Sequence, residues 1–266
     1  MDLSMRLARL AELVPASTVL ADVGTDHAYL PVSLVKSGKI DRAIAIDVHQ
    51  GPAEAARQHV KAFHVEDKIE VRVGDGLEPL QAGEVETVVI AGMGGGTIQK
   101  ILQEGASAGK VETIERMVLQ PLEGAASLRK WLLDQGWVIV EEDLIEDNKR
   151  IYEVIVAEQG SEGTTEKKNK NHDRNDREGS NIETKKVITE AIECLLGPRL
   201  LDKKHPLLLP VVEKHIQKEQ NALEGMQAGR KIDQEALAAK AKRIKELEEV
   251  RRWLLHAEES SNGLKE

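Results

Sequence analysis

The sequence predicts an α/β protein in which a doubly wound, mainly parallel sheet is followed by a separate α-helical coiled coil. Three observations carry this. Short apolar stretches alternate with longer amphipathic ones between residues 18 and 135. The alternation then gives way to two apolar stretches separated only by residues 146–150. After a polar interval, the C-terminal third repeats apolar residues in steps of three and four.

Taken in order, Leu3, Leu7, Leu10 and Val14 recur at helical spacing, so a leading helix is expected over 3–13, ending before Pro15. Strands are expected at 18–23, 42–47, 69–73, 87–91 and 117–119. Helices are expected near 29–37, 51–63, 94–105 and 124–135. Short buried strands alternating with helices form a parallel sheet covered on both faces. The strands at 138–145 and 151–157 are too closely linked for a crossover, so they must form an antiparallel hairpin. Five parallel strands closed by such a hairpin indicate a Rossmann-like class I methyltransferase domain, here with a C-terminal α-helical coiled-coil domain.

The expected organisation is a catalytic domain over 1–158, a flexible linker over 159–182 and a helical domain over 183–266. The linker is polar and charge-rich, without apolar periodicity. A short helix is expected near 183–196, then a Gly197-Pro198 break and two long helices. Leu209, Val212, Ile216, Glu219, Leu223 and Met226 make a heptad seam with one polar member, interrupted at Gly229. Leu237, Ile244, Leu247 and Leu254 make a second seam, so an antiparallel coiled-coil hairpin is expected.

Composition narrows the functional classes. Cys194 is the only cysteine, which excludes an intrachain disulfide or a cysteine metal cluster and fits a reducing, cytoplasmic setting. No run approaches the roughly 20 apolar residues of a membrane span. No histidine–carboxylate group has metal-ligand spacing, and His59 and His64 are expected on a solvated helix face. The net charge of −9 argues against indiscriminate nucleic-acid binding. It is concentrated in residues 1–158, with 16 basic and 26 acidic side chains, whereas 183–266 holds 16 and 15.

The unusual residues lie where parallel strands end, which is where open α/β sheets bind ligands. The first strand runs into Asp22-Val23-Gly24-Thr25-Asp26-His27-Ala28-Tyr29-Leu30-Pro31. A glycine turn with acidic neighbours, lacking the G-x-G-x-x-G fingerprint, suits a cationic cofactor rather than a pyrophosphate. Asp47 ends the second strand, where a carboxylate can accept ribose hydroxyls. After the third strand come Asp75, suited to an adenine amino group, and Gly76, whose backbone can read a ring nitrogen. Ala91-Gly92-Met93-Gly94-Gly95 follows the fourth, a loop that lets backbone lie against a ligand. S-adenosyl-L-methionine is the expected cofactor, contacted by Asp22, Gly24, Asp26, His27, Asp47, Asp75, Gly76, Ala91, Gly92, Met93 and Gly94.

These stretches, with Leu3-Ser4-x-Arg6-Leu7, Leu119-Gln120-Pro121 and Ile151-Tyr152-Glu153, resemble the bacterial TrmK family of tRNA adenine-N1 methyltransferases acting at position 22. The resemblance covers residues 1–157, with Asp26-His27-Ala28-Tyr29-Leu30-Pro31 its most specific element. It implies methyl transfer to tRNA. The family pattern is Leu-Gln-Pro-Asn, whereas this chain carries Leu122 after Pro121.

The catalytic candidates are Asp22 and Asp26, for a carboxylate field, with His27 and Tyr29 to orient or stack the base. Tyr29, Arg6, Met93, Gly95, Gln120 and Pro121 are the candidates for substrate contact. Phosphate contacts are expected from Arg6, Arg9, Lys149, Arg150, Lys240, Lys242, Arg243 and Lys245. A monomer with tRNA-docking helices is the favoured assembly. Methylation of a small molecule or a protein, or a degenerate cofactor-binding module with a partner-binding coiled coil, are the alternative readings.

Overall fold

The computed structural model describes residues 3–160, 188–228 and 233–262. The chain divides into two compact units, Met1–Glu166 and Lys167–Glu266. The first unit is built on one seven-stranded sheet in the order β3-β2-β1-β4-β5-β7-β6. Its strands are β1 (Val19–Val23), β2 (Arg42–Asp47), β3 (Ile69–Val73), β4 (Thr87–Met93), β5 (Arg116–Pro121), β6 (Trp137–Asp147) and β7 (Arg150–Gln159). β1 to β5 pair in parallel, and β7 inserts antiparallel between β5 and β6.

Strand alternation supplies both faces. Ala21, Val23, Ile44, Ile46, Val88 and Ile90 face one core, completed by Ile98, Ile101 and Leu102 of α4 (Gly95–Ser107) and by Leu128 and Leu132 of α5 (Ala125–Asp134). Leu20, Ala43, Ala45 and Val89 face the other. That core takes Leu10 and Leu13 of α1 (Met5–Leu13), Leu30 and Leu34 of α2 (Tyr29–Lys36), and Val60 of α3 (Gln50–Ala62). Small alanines on β2 leave room for helices to approach. α1 starts at Ser4, whose hydroxyl accepts the Leu7 N–H.

The hairpin differs from expectation in its turn. The strands extend to Asp147 and from Arg150, leaving Asn148-Lys149 as a two-residue connection with φ of 51° and 62°. Both residues are left-handed, as the tightest hairpin turns require. Gln159, expected to open the linker, ends β7 and donates to the carbonyl of Glu112. The remainder of the expected linker beyond residue 160 lies outside the described residues.

In the second unit, α6 (Glu190–Leu196) and α7 (Pro198–Asp202) meet at Gly197. The earlier part of the expected 183–196 helix, before residue 188, and the Gly229 break also fall outside the described residues. α8 (Leu208–Gln227) and α9 (Gln234–Asn262) bury Leu208, Val211, Val212 and Ile216 of one helix and Leu247, Val250 and Leu254 of the other. The polar member of the seam is matched across the pair, since Glu219 takes Lys240 and Arg243 of α9 as partners. Burial pushes the Glu219 carboxyl up, but those cations win and hold it below the ordinary range.

Candidate functional site

The chain reverses its direction of travel across the sheet between β1 and β4, and a cleft opens at the carboxyl ends of strands at such a switch point. Register puts the special residues level. Val23 lies beside Ile46 on one side and Ile90 on the other, and Asp47 lies beside Val73. The carboxyl ends of β3, β2, β1 and β4 therefore form one row, spanning three inter-strand gaps or roughly 14 Å. Asp75, Asp47, Asp22 and Gly92 all belong to it.

At the β1 end, Asp22 is buried and its carboxylate accepts a hydrogen bond from the Thr25 hydroxyl at 2.6 Å. Burial pushes its carboxyl up to about 6, against the opposing pull of the Thr25 bond and the Arg6 charge. Gly24 follows with φ of +75° and donates its N–H to the Ile46 carbonyl. A Cβ there would meet the terminal methyl of the flexible Met93 side chain at 2.2 Å and displace it, and the left-handed backbone itself favours glycine. Asp26 is the outlying candidate, with its side chain 84% exposed beside the His27 imidazole. His27 and Ala28 are both left-handed, and α2 starts at Tyr29 without a side-chain cap. Tyr29 is partly open to solvent.

Asp47 accepts from the His49 N–H at 2.8 Å, while its backbone carbonyl accepts from Gly74. Asp75 is exposed and Gly76 buried. At the β4 end, the register shifts between Ala91 and Met93, and Gly94 precedes α4. Gly95 packs on backbone, where a Cβ would lie 2.7 Å from the Gly124 carbonyl oxygen, and it donates its own N–H to Glu123. This locks the β4 and β5 loops together.

Gln120 is fully buried and joins three elements. Its Oε1 accepts from Arg6 Nη1 at 2.8 Å and from the Gly92 N–H at 3.2 Å, and its Nε2 donates to the Pro121 carbonyl. Arg6 of α1 is thus held inside the cleft wall, and its guanidinium also lies 5.5 Å from the centroid of the Tyr152 ring. Arg150 approaches the same ring at 5.1 Å and donates to the Leu122 carbonyl. Leu122 itself is 40% exposed.

Several expectations need correction. Arg9 is not an open phosphate contact, because Glu12, Glu141 and Asp143 surround it. Lys240 is committed to Glu219, with Arg243 beside the same carboxylate at 3.7 Å, whereas Lys242 lies 3.9 Å from Glu246 and stays open to solvent. His59 does not lie on a solvated face. It is partly buried, bonded to the His27 carbonyl and packed on Tyr29. Its spacing with Ala56 and Phe63 signals this inward helix face in the sequence. Arg129, fully buried between Glu142 and Glu153, escaped sequence reasoning altogether.

The family model described as a methyltransferase domain matches residues 3–155. The tRNA (adenine(22)-N(1))-methyltransferase of Bacillus subtilis is 41% identical over 160 residues, covering 60% of this chain and 66% of that protein. The aligned stretch is thus just under two thirds of that relative's length. Solved structures extend the similarity along the chain. The B. subtilis tRNA methyltransferase TrmK is 32% identical with a TM-score of 0.79, covering 94% of this chain and 99% of that one. Streptococcus pneumoniae Sp1610, solved in complex with S-adenosyl-L-methionine, is 32% identical with a TM-score of 0.75, covering 94% and 100%.

Proposed function

The chain belongs to the methyltransferase-domain family and, within it, to the TrmK family of tRNA methyltransferases, and on that premise we propose that it transfers a methyl group from S-adenosyl-L-methionine to N1 of adenine 22 in tRNA. The observation that carries this reading is the single row of Asp75, Asp47, Asp22 and Gly92 at adjacent strand ends.

The residues present fit the cofactor. Asp22 is a buried carboxylate whose hydrogen-bond partner is a hydroxyl rather than a cation, so its charge is incompletely matched within the protein. A positive ligand beside it would lower its energy. Asp22, Gly24, Asp26 and His27 would face the amino-acid end and Asp47 the ribose, with Asp75 and Gly76 taking the adenine. Ala91, Gly92, Met93 and Gly94 would form the floor. When bound, the cofactor supplies an electrophilic methyl group on a sulfonium.

Adenine N1 carries an in-plane lone pair, so no proton has to leave before it attacks. The protein's part is therefore positioning and charge complementarity. Tyr29 and His27 stack or orient the base, while Asp22 and Asp26 supply a negative field for the cationic product ring. Arg6, Gln120, Pro121, Met93 and Gly95 shape the wall on the substrate side. Base pairing blocks N1, so adenine 22 must leave its stack to enter. Lys149 and Arg150 at the hairpin tip and Lys245 in the helical unit are assigned to phosphates.

We further propose three domain assignments: catalysis in 1–158, a linker over 159–182, shortened by the β7 end at Gln159, and tRNA docking in 183–266. All residues of the reaction lie on one chain, so a monomer suffices. Among the described residues no helix is long and apolar enough to cross a membrane, and action on tRNA assigns the enzyme to the cytoplasm.

The test is to incubate the full chain with unmodified tRNA and methyl-labelled cofactor and to map the label. Label is expected on N1 of adenine 22. Label on an exocyclic amine, or none, refutes the assignment.

A further inference from the structure

The loop that carries Tyr29 contains two consecutive left-handed residues that are not glycine, His27 at φ 59° and Ala28 at φ 54°. Left-handed backbone is disfavoured for residues with a side chain, so their surroundings must hold them. One side chain outside the strand-end row meets this loop. His59, in the last turn of α3, places Nδ1 2.7 Å from the carbonyl oxygen of His27. A carbonyl can only accept, so Nδ1 carries the proton and donates.

The same imidazole packs on Tyr29, with ring centroids 4.8 Å apart and planes at 67°. Behind it, Phe63 packs on His59 at 4.8 Å and 72°. Phe63 is anchored against the hydrophobic core on the α1–α3 face of the sheet. A continuous ladder therefore runs from that core through Phe63 and His59 to the Tyr29 ring. Edge-to-face contacts of this kind have a preferred geometry, so they transmit orientation as well as contact.

We propose that His59 is a positioning residue for the methyl acceptor: by holding the His27 carbonyl and the Tyr29 ring together, it sets the plane against which the adenine stacks. This rests on the reading of Tyr29 as a base-stacking residue. His59 acts in this reading through the His27 carbonyl and the Tyr29 ring. Its effect should appear more strongly in turnover on tRNA than in affinity for S-adenosyl-L-methionine, which the strand-end row governs and to which this loop adds only His27.

Two substitutions separate its two contacts. His59→Phe keeps a ring on Tyr29 and removes the donor, while His59→Gln keeps an N–H donor on a helix-compatible chain and removes the ring. His59→Phe is expected to lower kcat roughly tenfold, with a small fall in melting temperature as the loop loses its hold and a change in cofactor affinity smaller than the change in kcat. His59→Gln is expected to recover to within about threefold of the unsubstituted enzyme. The chain has only two tyrosines, so 3-fluorotyrosine labelling gives two resonances, assigned by Tyr29→Phe. In folded His59→Phe the Tyr29 resonance should move or broaden while that of Tyr152 stays in place. An unchanged kcat in folded His59→Phe, a His59→Gln no better than His59→Phe, or an unmoved Tyr29 resonance overturns the proposal. Failure of the unsubstituted enzyme to methylate tRNA would instead overturn the functional reading, with the fluorine signal still deciding whether His59 orders the ring.

Discussion

The catalytic unit buries charge in two places, and the two are resolved in opposite ways. On α5, Arg129 is fully buried and donates to Glu142 at 2.6 Å and to Glu153 at 2.7 Å, with Glu142 equally buried. Burial opposes the charge on Arg129, yet its two carboxylates hold the guanidinium above its ordinary range. At the end of β1, Asp22 is nearly as deep but is hydrogen-bonded to a hydroxyl and feels only the unbonded charge of Arg6, where Arg129 has two bonded carboxylates, and its carboxyl rises to about 6. A buried charge completed by the protein serves architecture, here tying α5 to the β6–β7 hairpin. A buried charge left incomplete costs stability and is suited to a ligand that brings the opposite sign.

The largest effect should come from breaking the completed cluster. Arg129→Ala leaves Glu142 buried without its guanidinium, and removing one partner of a buried pair typically costs about 3–5 kcal/mol. Denaturant unfolding is expected to show a loss of that order, with cofactor affinity per folded molecule preserved. A change below about 1 kcal/mol would show that the cluster does not hold the hairpin.

The incomplete charge should respond with the opposite sign. The Asp22 carboxyl titrates at 3.8 ordinarily and at about 6 in the fold. Between those values the native state binds the proton more tightly, so stability falls as pH rises from about 4 to 6. Above that window the full penalty is present, on the order of 3 kcal/mol. Asp22→Asn removes it while still accepting from Thr25, so the melting temperature should rise at pH 7.5 and be little changed below pH 4. The same substitution should lower methyl transfer by about 100-fold. A destabilised Asp22→Asn at neutral pH, or one that retains full activity, would erase the distinction between the two buried charges.

The two regions also differ in how openly the sequence announces them. Gly24 beside Asp22 and the run Gly94-Gly95-Gly96 are local signals, readable wherever a strand is expected to end. The apolar alternation located all seven strands, but their order depends on β7 slipping between β5 and β6, which no local pattern encodes. Arg129, Glu142 and Glu153 sit on a helix and two strands. A register shift between Ile139 and Glu141 disrupts the alternation along β6, so period-two reading cannot place Glu142 inside. The acidic partners of Arg9 on β6 were hidden for the same reason of distance along the chain. His59 is a different case. Ala56, His59, Val60 and Phe63 share one helical stripe, so its inward face was available from spacing alone.

The smallest effect should come from Leu122, where the chain departs from the family's Leu-Gln-Pro-Asn pattern. Its backbone is fixed independently of its side chain, because its N–H donates to the Met93 carbonyl at 2.8 Å and its carbonyl accepts from Arg150 at 3.2 Å. The side chain is 40% exposed, so asparagine fits without repacking. Leu122→Asn therefore changes the chemistry at the cleft mouth and leaves the loop's path alone. One added hydrogen bond is worth about 0.5–1.5 kcal/mol, so turnover on tRNA should rise roughly threefold to tenfold, with an unchanged melting temperature. A flat rate would mean that this loop acts through its backbone alone. The polar wall of the cleft would then end at Gly92 and Gln120, and Leu122 would belong with the architecture.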